Sequence, residues 1–269
     1  MRWLRIPLVW IYALLILIPV AVVIESSFKS LVDLYANPLW PSSGLTTGAY
    51  HTLTSEVPLL HYFVNSAEVT VAALVMVLLF GAMISYAILR LPRVLGYVVY
   101  GVFSVGMMIP TQVNMIPVYL EMTKLNLVDT LGGLILVEAA FLMPVSVFII
   151  GGFMRTMSRE LLEAATVDGA NEWQIFWRIA TPLSLPSVAS TAIFGGVIVW
   201  NDLLFPLLLT KSNTNRTIPL ALLSFTGEYQ TNYPVIFAGV LLSSIPMVVL
   251  YVFLQRYFIA GMTAGAVKG

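Results

Sequence analysis

Two polar side chains stand inside a long apolar stretch of this chain and could contact a solute. Asn201 and Asp202 follow Trp200 within the run 185–209, which carries no other charge. A carboxylate at membrane depth is costly, so it normally faces a bundle interior or a water-filled cavity. Asn and Asp together offer hydrogen-bond donors and acceptors to a polar solute. The pair is therefore a candidate for a translocation path. The alternative is that Asp202 caps a broken helical turn ahead of Pro206 or pairs with a neighbouring span.

A second apolar run, 95–120, also contains polar residues. Gln112 and Asn114 lie there between Pro110 and Pro117. Proline removes a backbone donor and kinks a helix, and such a helix belongs inside a bundle where neighbours satisfy the freed backbone groups. Gln112 and Asn114 therefore join the candidates for the path. Glu138 lies nearer a span end and is interpreted as interfacial.

The residues needed for catalysis are missing from this sequence. There is no Cys, and the two His, His51 and His61, share one polar segment and are too few for a metal site. Neither a phosphate-binding P-loop nor a Ser-His-Asp set is apparent. We expect no catalytic residue, metal or cofactor in this chain. If ATP drives the system, ATP and Mg²⁺ bind to another chain.

The composition indicates an integral membrane protein, because 59% of the residues are hydrophobic and only 10% are charged. The net charge is zero without a basic block, so nucleic-acid binding has no support. Apolar runs of about 20 residues can cross the bilayer as helices. We predict an all-α fold with one transmembrane domain over residues 1–269 and six spans, the first one uncleaved, at about 6–24, 62–89, 95–120, 131–153, 185–209 and 234–253.

Lys and Arg predict the orientation, since they are enriched in cytoplasmic loops. With the N-terminus inside, nine Lys and Arg residues fall on that side and four on the other. We therefore expect both termini and the polar loop 154–184 to be cytoplasmic. The alternative is the inverted topology.

The loop 154–184 is expected to form two short helices joined by a sharp turn. Ser158 can cap the first helix, and Gly169 stands where a left-handed residue would end it. Asn171 can cap the second helix, with Gln174 completing a capping box. The alternative is an amphipathic loop on the membrane surface, which Trp173 and Trp177 would suit.

The same loop carries a family resemblance. Glu163-Ala164-Ala165, then Gly169, Ile179 and Pro182 in the spacing of this sequence, resemble the EAA loop of permease subunits of ATP-binding-cassette (ABC) importers. Thr181 replaces the leucine usual before the proline, which is a mild departure. Asp168-Gly169-Ala170 resembles the carbohydrate-uptake branch. The chain is therefore identified as a member of that family, with the type I permease bundle implied.

The resemblance also implies roles for particular residues. Glu163, Ala164, Ala165, Asp168 and Gly169 would form a coupling helix that docks on an ATPase subunit. The two alanines would admit a close partner surface, and Glu163 would meet a basic residue. The small-residue tail ending in Val267-Lys268-Gly269 resembles tails that reach into the ATPase dimer. The alternative is an ordinary frayed terminus with no partner.

The resemblance implies an ATP-driven importer that takes a sugar or oligosaccharide from a solute-binding protein across a bacterial or archaeal inner membrane. The partners would be a second, different permease subunit, two cytoplasmic ATPase subunits and the extracytoplasmic binding protein, which the segment 211–232 would contact. The alternatives are a permease for a polyol or glycerol phosphate, and a secondary transporter. A secondary transporter would need paired coupling carboxylates deep in two spans, where the sequence shows only Asp202.

Overall fold

A computed structural model describes residues 2–39, 44–227 and 231–266, and every regular element in these ranges is helical. Short 3₁₀ or π turns separate several of the helices. The α-helices are α1 Arg2–Ser26, α2 Leu31–Ala36, α3 Gly48–Glu56, α4 Leu59–Arg90, α5 Arg93–Gly106, α6 Met115–Lys124, α7 Leu131–Met154, α8 Arg159–Val167, α9 Glu172–Ile175, α10 Thr181–Leu183, α11 Leu185–Asn201, α12 Leu204–Leu209, α13 Ile218–Leu222 and α14 Tyr233–Ala266. The prediction of an all-α protein is confirmed.

Four helices are long and apolar enough to cross a membrane by themselves within the described ranges. Two further pairs of helices pass the same test only when each bent pair is taken as one span. The four single spans are Ile6–Ser26, Leu59–Arg90, Leu131–Met154 and Tyr233–Gln255. They agree closely with the first, second, fourth and sixth predicted spans.

The third predicted span is a pair of helices bent by 87°. Helix α5 ends at Gly106, and a 3₁₀ turn over Thr111–Asn114 leads into α6. Pro110 has an extended backbone and no N–H to continue the helical ladder, which explains the break. The predicted kink at this proline is therefore a sharp bend.

The fifth predicted span, 185–209, differs from the observed elements. Helix α11 ends at Asn201, and a separate short helix, α12, begins at Leu204. A second bend, of 70°, lies before α11, between Glu172–Leu183 and Leu185–Asn201. The interruption lies at Asp202, where the backbone is extended, as expected if this residue caps a broken turn.

The described chain divides into two compact units. The first comprises Met1–Phe63 and Thr217–Pro246, and its core includes Leu53, Val235 and Ala238. The second comprises Val64–Arg216 and Met247–Gly269. It contains two buried clusters, and both join α4 to α7. The candidate residues that the structure describes all lie in this second unit.

Small residues allow the close packing inside the second unit. A Cβ added at Gly81 of α4 would lie 2.0 Å from the hydroxyl of Ser146 on α7. One added at Gly195 of α11 would lie 2.5 Å from a methyl of Leu142. Ser146 also donates to the carbonyl of Val77 at 3.1 Å. Helices α4, α7 and α11 therefore form the scaffold for the polar sites described below.

Candidate functional site

The loop after α7 has the predicted helix–turn–helix form. Ser158 accepts the backbone N–H of Leu161 at 3.3 Å, which caps α8. Gly169 has a φ of +84°, a conformation that side-chain-bearing residues rarely adopt. Asn171 accepts the backbone N–H of Gln174 at 2.9 Å, and Gln174 accepts that of Asn171 at 3.0 Å. Both predicted caps and the turn glycine are thus confirmed.

The five EAA-like residues do not all face outward. Glu163, Ala164, Asp168 and Gly169 are exposed. Ala165 is only 9% exposed and packs in the cluster that includes Leu162. Because α8 turns by about 100° per residue, adjacent alanines point in different directions. The expectation that both alanines admit a partner therefore holds at most for Ala164, since Ala165 belongs to the chain's own core.

An ionic contact missed by the sequence analysis ties this loop to a membrane helix. At the end of α4, Arg90 donates from Nε to Glu172 Oε2 at 2.9 Å, and its Nη2 pairs with the other carboxylate oxygen. The hydroxyl of Tyr86 donates to Glu172 Oε2 at 2.6 Å. We call this set, Tyr86, Arg90 and Glu172, the inner joint. The partners lie 82 residues apart, so no local spacing rule could have paired them.

Aromatic rings continue from the inner joint along the second short helix. Phe176 packs 5.4 Å from Tyr86, centroid to centroid, and is buried. Trp173 and Trp177 lie edge to face at 5.7 Å, and both are exposed. Residues Phe176–Ala180 form a π-helical turn, a feature frequent at functional sites. The exposed tryptophans still permit a membrane-surface contact for this loop.

Asp202 acts as a helix cap. Its carboxylate accepts the backbone N–H groups of Leu204 at 3.3 Å and Phe205 at 2.9 Å, which opens α12. Asn201, the last residue of α11, donates to the carbonyl of Val197 at 2.8 Å and is exposed. The capping alternative for Asp202 is therefore confirmed. This geometry does not test a role in the translocation path.

Glu138, which the sequence analysis interpreted as interfacial, is buried beside Asp202. Glu138 on α7 is 4% exposed, and its carboxyl lies next to that of Asp202. Its Oε1 has no hydrogen-bond partner among the described residues. An ionisable residue buried within a membrane span is by default a candidate functional residue. Because Glu138 lies near the start of α7, its sequence position alone indicated an interfacial residue.

The other two path candidates lie at the bend between α5 and α6. Gln112 and Asn114 both belong to the 3₁₀ turn, where Gln112 is exposed and Asn114 is half-buried. All four path candidates thus stand where a membrane helix is interrupted. The predicted ATPase-contacting residues Val267, Lys268 and Gly269 lie outside the described residues.

A second polar network joins the loop before α7 to the segment after α12. Asp129 Oδ1 accepts the backbone N–H groups of Lys211 and Ser212 and the Ser212 hydroxyl, each at 2.9 Å. The Asp129 N–H donates to the carbonyl of Leu209 at 2.8 Å, and the Asn215 amide donates to the Asp129 carbonyl. We call this network the outer joint. The Ser212 backbone N–H is the main cause of a lowered pKa at Asp129.

The outer joint also reaches α4. Asn65 donates to the carbonyls of Thr214 and Arg216, both at 2.8 Å. Asn126 and Asp129 have φ values of 56° and 61°, in the left-handed region that Asn and Asp tolerate best. Helix α4 is therefore held by the outer joint near one end and by the inner joint at the other.

Comparison with known proteins relates this architecture to transport. Residues 77–264 match the family described as "Binding-protein-dependent transport system inner membrane component". The arabinooligosaccharides transport system permease protein AraQ of Halalkalibacterium halodurans is 34% identical over 96% of this chain and 93% of its own length. The melibiose/raffinose/stachyose import permease protein MelC of Bacillus subtilis is 32% identical over 94% and 91%.

The fold also agrees with a solved structure. A chain of a bacterial ABC transporter involved in the import of the acidic polysaccharide alginate superposes with a TM-score of 0.78 at 24% identity, covering 96% of both chains. The matching region contains α7, the helix–turn–helix loop and α11, and the relatives cover nearly the entire sequence. The chain belongs to the family of inner membrane components of binding-protein-dependent transport systems, as a multi-pass membrane subunit and not the ATPase.

Proposed function

We propose that this chain forms half of the translocation path of an ATP-driven importer for a sugar or oligosaccharide. Its relatives AraQ and MelC carry the names of oligosaccharide import permeases and match over more than nine-tenths of the chain. Candidate path residues offer amide and carboxylate groups, which suit hydroxyl-rich solutes. The solute is delivered by a binding protein, and ATP and Mg²⁺ bind to a separate ATPase chain.

The observation that carries the proposed coupling mechanism is the inner joint. Helix α8 presents Glu163 and Ala164 to solvent, while Glu172 fastens the following helix to Arg90 at the end of α4. A displacement of α8 would therefore be transmitted through α9 and the Glu172–Arg90 contact to α4, a membrane helix of 32 residues. This is the arrangement needed by a loop that converts ATPase closure into helix movement.

The proposed path follows the interruptions of the membrane helices. Irregular backbone at membrane depth is tolerated where it is buried in protein or lines a water-filled cavity. Gln112 and Asn114 stand at the 87° bend, and Asn201 and Asp202 stand where α11 gives way to α12. The Asp202 carboxylate can cap α12 and still accept a hydrogen bond from a solute in the path, because its oxygens retain free lone pairs.

The complete assembly would contain a second, different permease subunit, two ATPase subunits and the binding protein. Both termini and the α8–α9 loop would face the cytoplasm, which the distribution of Lys and Arg supports. The segment 211–232 would then contact the binding protein on the other side. The tail residues Val267, Lys268 and Gly269 would contact the ATPase dimer.

The coupling proposal is tested with Ala164→Asp, because the side chain is exposed and the substitution adds a charge to the proposed docking face. We expect ATPase co-purification or sugar uptake in proteoliposomes to be lost while the chain stays folded. Ala164→Ser is the matched control and should retain both activities. Normal uptake and normal ATPase binding in Ala164→Asp would refute docking through this face.

The path proposal is tested with Asp202→Asn and Asn201→Ala. Asp202→Asn keeps one capping oxygen and nearly the same shape but removes the charge. We expect reduced uptake with an intact complex and intact ATPase binding. Unchanged uptake in both variants, with full assembly, would leave Asp202 with a capping role alone.

A further inference from the structure

A cavity lined by three arginines lies beside the ends of α4, α5 and α7. Its volume is about 710 Å³, and Arg93, Arg155 and Arg159 contribute to its wall. These residues come from three places in the chain, namely the first residue of α5, the residue after α7 and the first residue of α8. We call it the arginine cavity. Neither the proposed path nor the exposed face of α8 accounts for this cluster of charge.

The positive charge of the arginine cavity is largely uncompensated. Glu160 is the single carboxylate in its wall. Within the part of the chain that the structure describes, no carboxylate oxygen lies within 4.0 Å of the three guanidinium groups. The neighbouring Arg90 is different, because Glu172 neutralises it. The cavity therefore favours an anionic ligand.

One of the three arginines is held in a defined orientation. The guanidinium carbon of Arg155 lies 4.6 Å from the ring centroid of Tyr97 and 4.7 Å from that of Tyr100. Contact with two aromatic faces restrains the planar group without neutralising it. Planar guanidinium groups match phosphate oxygens through paired N–H donors. A phosphate group is thus the anion that the cavity suits best.

An apolar stripe continues from the arginine cavity along α5. Val94, Val98, Val102 and Val105 recur at helical spacing, and each is between 56% and 78% exposed. Free phosphate would leave this stripe unused. A phospholipid would place its phosphate among the arginines and its acyl chains along the valines. Basic pockets between membrane helices are known to select anionic headgroups.

We propose that the arginine cavity binds the phosphate group of an anionic phospholipid, with the acyl chains lying on the valine stripe of α5. The site would join the bilayer to the base of the α8–α9 loop, because Arg159 opens α8. The proposal needs neither a sugar substrate nor ATPase docking, so it stands or falls separately from the proposed function.

The test uses the full-length chain purified with its partner subunits, stripped of lipid and examined by native mass spectrometry. Phosphatidylglycerol and phosphatidylcholine with identical acyl chains are titrated separately. The combined variant Arg93→Gln, Arg155→Gln, Arg159→Gln should weaken phosphatidylglycerol binding about a hundredfold, since each basic residue near an anionic membrane contributes about fivefold. Phosphatidylcholine, whose choline cation offsets the charge of its phosphate, should bind the wild type more weakly and lose less affinity in the combined variant.

Arg178→Gln is the matched control, because Arg178 is exposed on the same loop but does not line the arginine cavity. It should leave phosphatidylglycerol binding unchanged. Inorganic phosphate is added in a separate arm. If it binds as tightly as the lipid and displaces it fully, the site is one for free phosphate and the proposal is overturned.

Two further outcomes would overturn the proposal. Unchanged phosphatidylglycerol binding in the combined variant would remove the arginines from the lipid site. Unchanged lipid binding together with loss of the ATPase subunit would assign the surface to that protein. If the combined variant fails to assemble, Tyr97→Leu is used, because it keeps every charge and removes one of the two aromatic contacts that orient Arg155. A severalfold loss of phosphatidylglycerol affinity supports the proposal, and an unchanged affinity contradicts it.

Discussion

The inner and outer joints hold the same helix by different chemistry. At the outer joint, the Asp129 carboxylate accepts two backbone N–H groups and a hydroxyl, all from one short segment. At the inner joint, Glu172 meets only side chains, those of Arg90 and Tyr86. Backbone donors cannot rotate away, whereas long side chains can. We therefore expect the outer joint to be the more rigid connection and the inner joint to be the more deformable one.

Exposure limits the strength of the inner joint. The side chains of Arg90 and Glu172 are 30% and 59% exposed, so water competes for both charges. Ion pairs of this kind contribute about 0–1 kcal/mol each. The apolar cluster beneath, which includes Ala165 and Leu162, does most of the anchoring of α8. In the proposed coupling, movement of α8 would reach α4 through the packed cluster and, more weakly, through this ionic contact.

The largest effect is expected for Ala165→Asp. Ala165 is 9% exposed in the cluster under α8, so the new carboxylate would be buried without a partner. We expect a loss of about 3 kcal/mol or more in the free energy of unfolding, measured by thermal or denaturant unfolding of the purified complex. Ala164→Asp, one residue away and exposed, should leave this stability unchanged. Equal destabilisation by both would show that the apolar cluster is not the anchor.

The second effect in size is that of Asp129→Ala. Removal of the carboxylate deprives the Lys211 and Ser212 N–H groups of their acceptor. Hydrogen bonds to charged groups contribute about 1.5–3 kcal/mol, and alanine also tolerates a φ of 61° poorly. We expect a loss of about 2–4 kcal/mol in stability. Ser212→Ala is the graded control and should cost less, because the two backbone donors remain. A loss below that of Glu172→Ala would reverse the comparison of the joints.

The outer joint should also weaken in acid. The pKa of Asp129 lies below its ordinary value of 3.8, chiefly because the Ser212 backbone N–H stabilises the carboxylate. A group with a lowered folded-state pKa stabilises the protein above the unfolded-state pKa, and this stabilisation is lost as the pH falls through the folded-state value. The stability difference between the wild type and Asp129→Asn should therefore be constant from about pH 5 to pH 7 and shrink below about pH 4. A difference that persists undiminished in acid would contradict this assignment.

The smallest effect on stability is expected at the inner joint. Arg90→Glu and Glu172→Arg should each lower stability by no more than about 1 kcal/mol, since the pair is partly exposed. Each should nevertheless reduce sugar uptake, because two like charges then face each other across the joint. The double exchange, Arg90→Glu with Glu172→Arg, should restore part of the uptake. Full uptake in both single variants would show that the joint does not transmit movement.

Much of the α8–α9 loop could be predicted because its signals are local. A serine or asparagine accepts an N–H three residues ahead, and a glycine with positive φ ends a helix, so Ser158, Gly169 and Asn171 had predictable roles. The four spans formed by single helices were equally predictable, because continuous apolar length is a property of the sequence itself. The break in the fifth span was predicted only as one alternative for Asp202, since the apolar run continues through it.

By itself, then, the sequence determined the membrane class, the all-α fold, the family and the form of the loop, since each depends on composition or on residues within a few positions. Only the tertiary structure decided that Ala165 faces inward and that Glu138 lies beside Asp202. It alone paired Glu172 with Arg90 and Asp129 with Ser212, across 82 and 83 residues. The physical reason is that which side chains meet depends on how distant helices pack, and no local spacing encodes that packing.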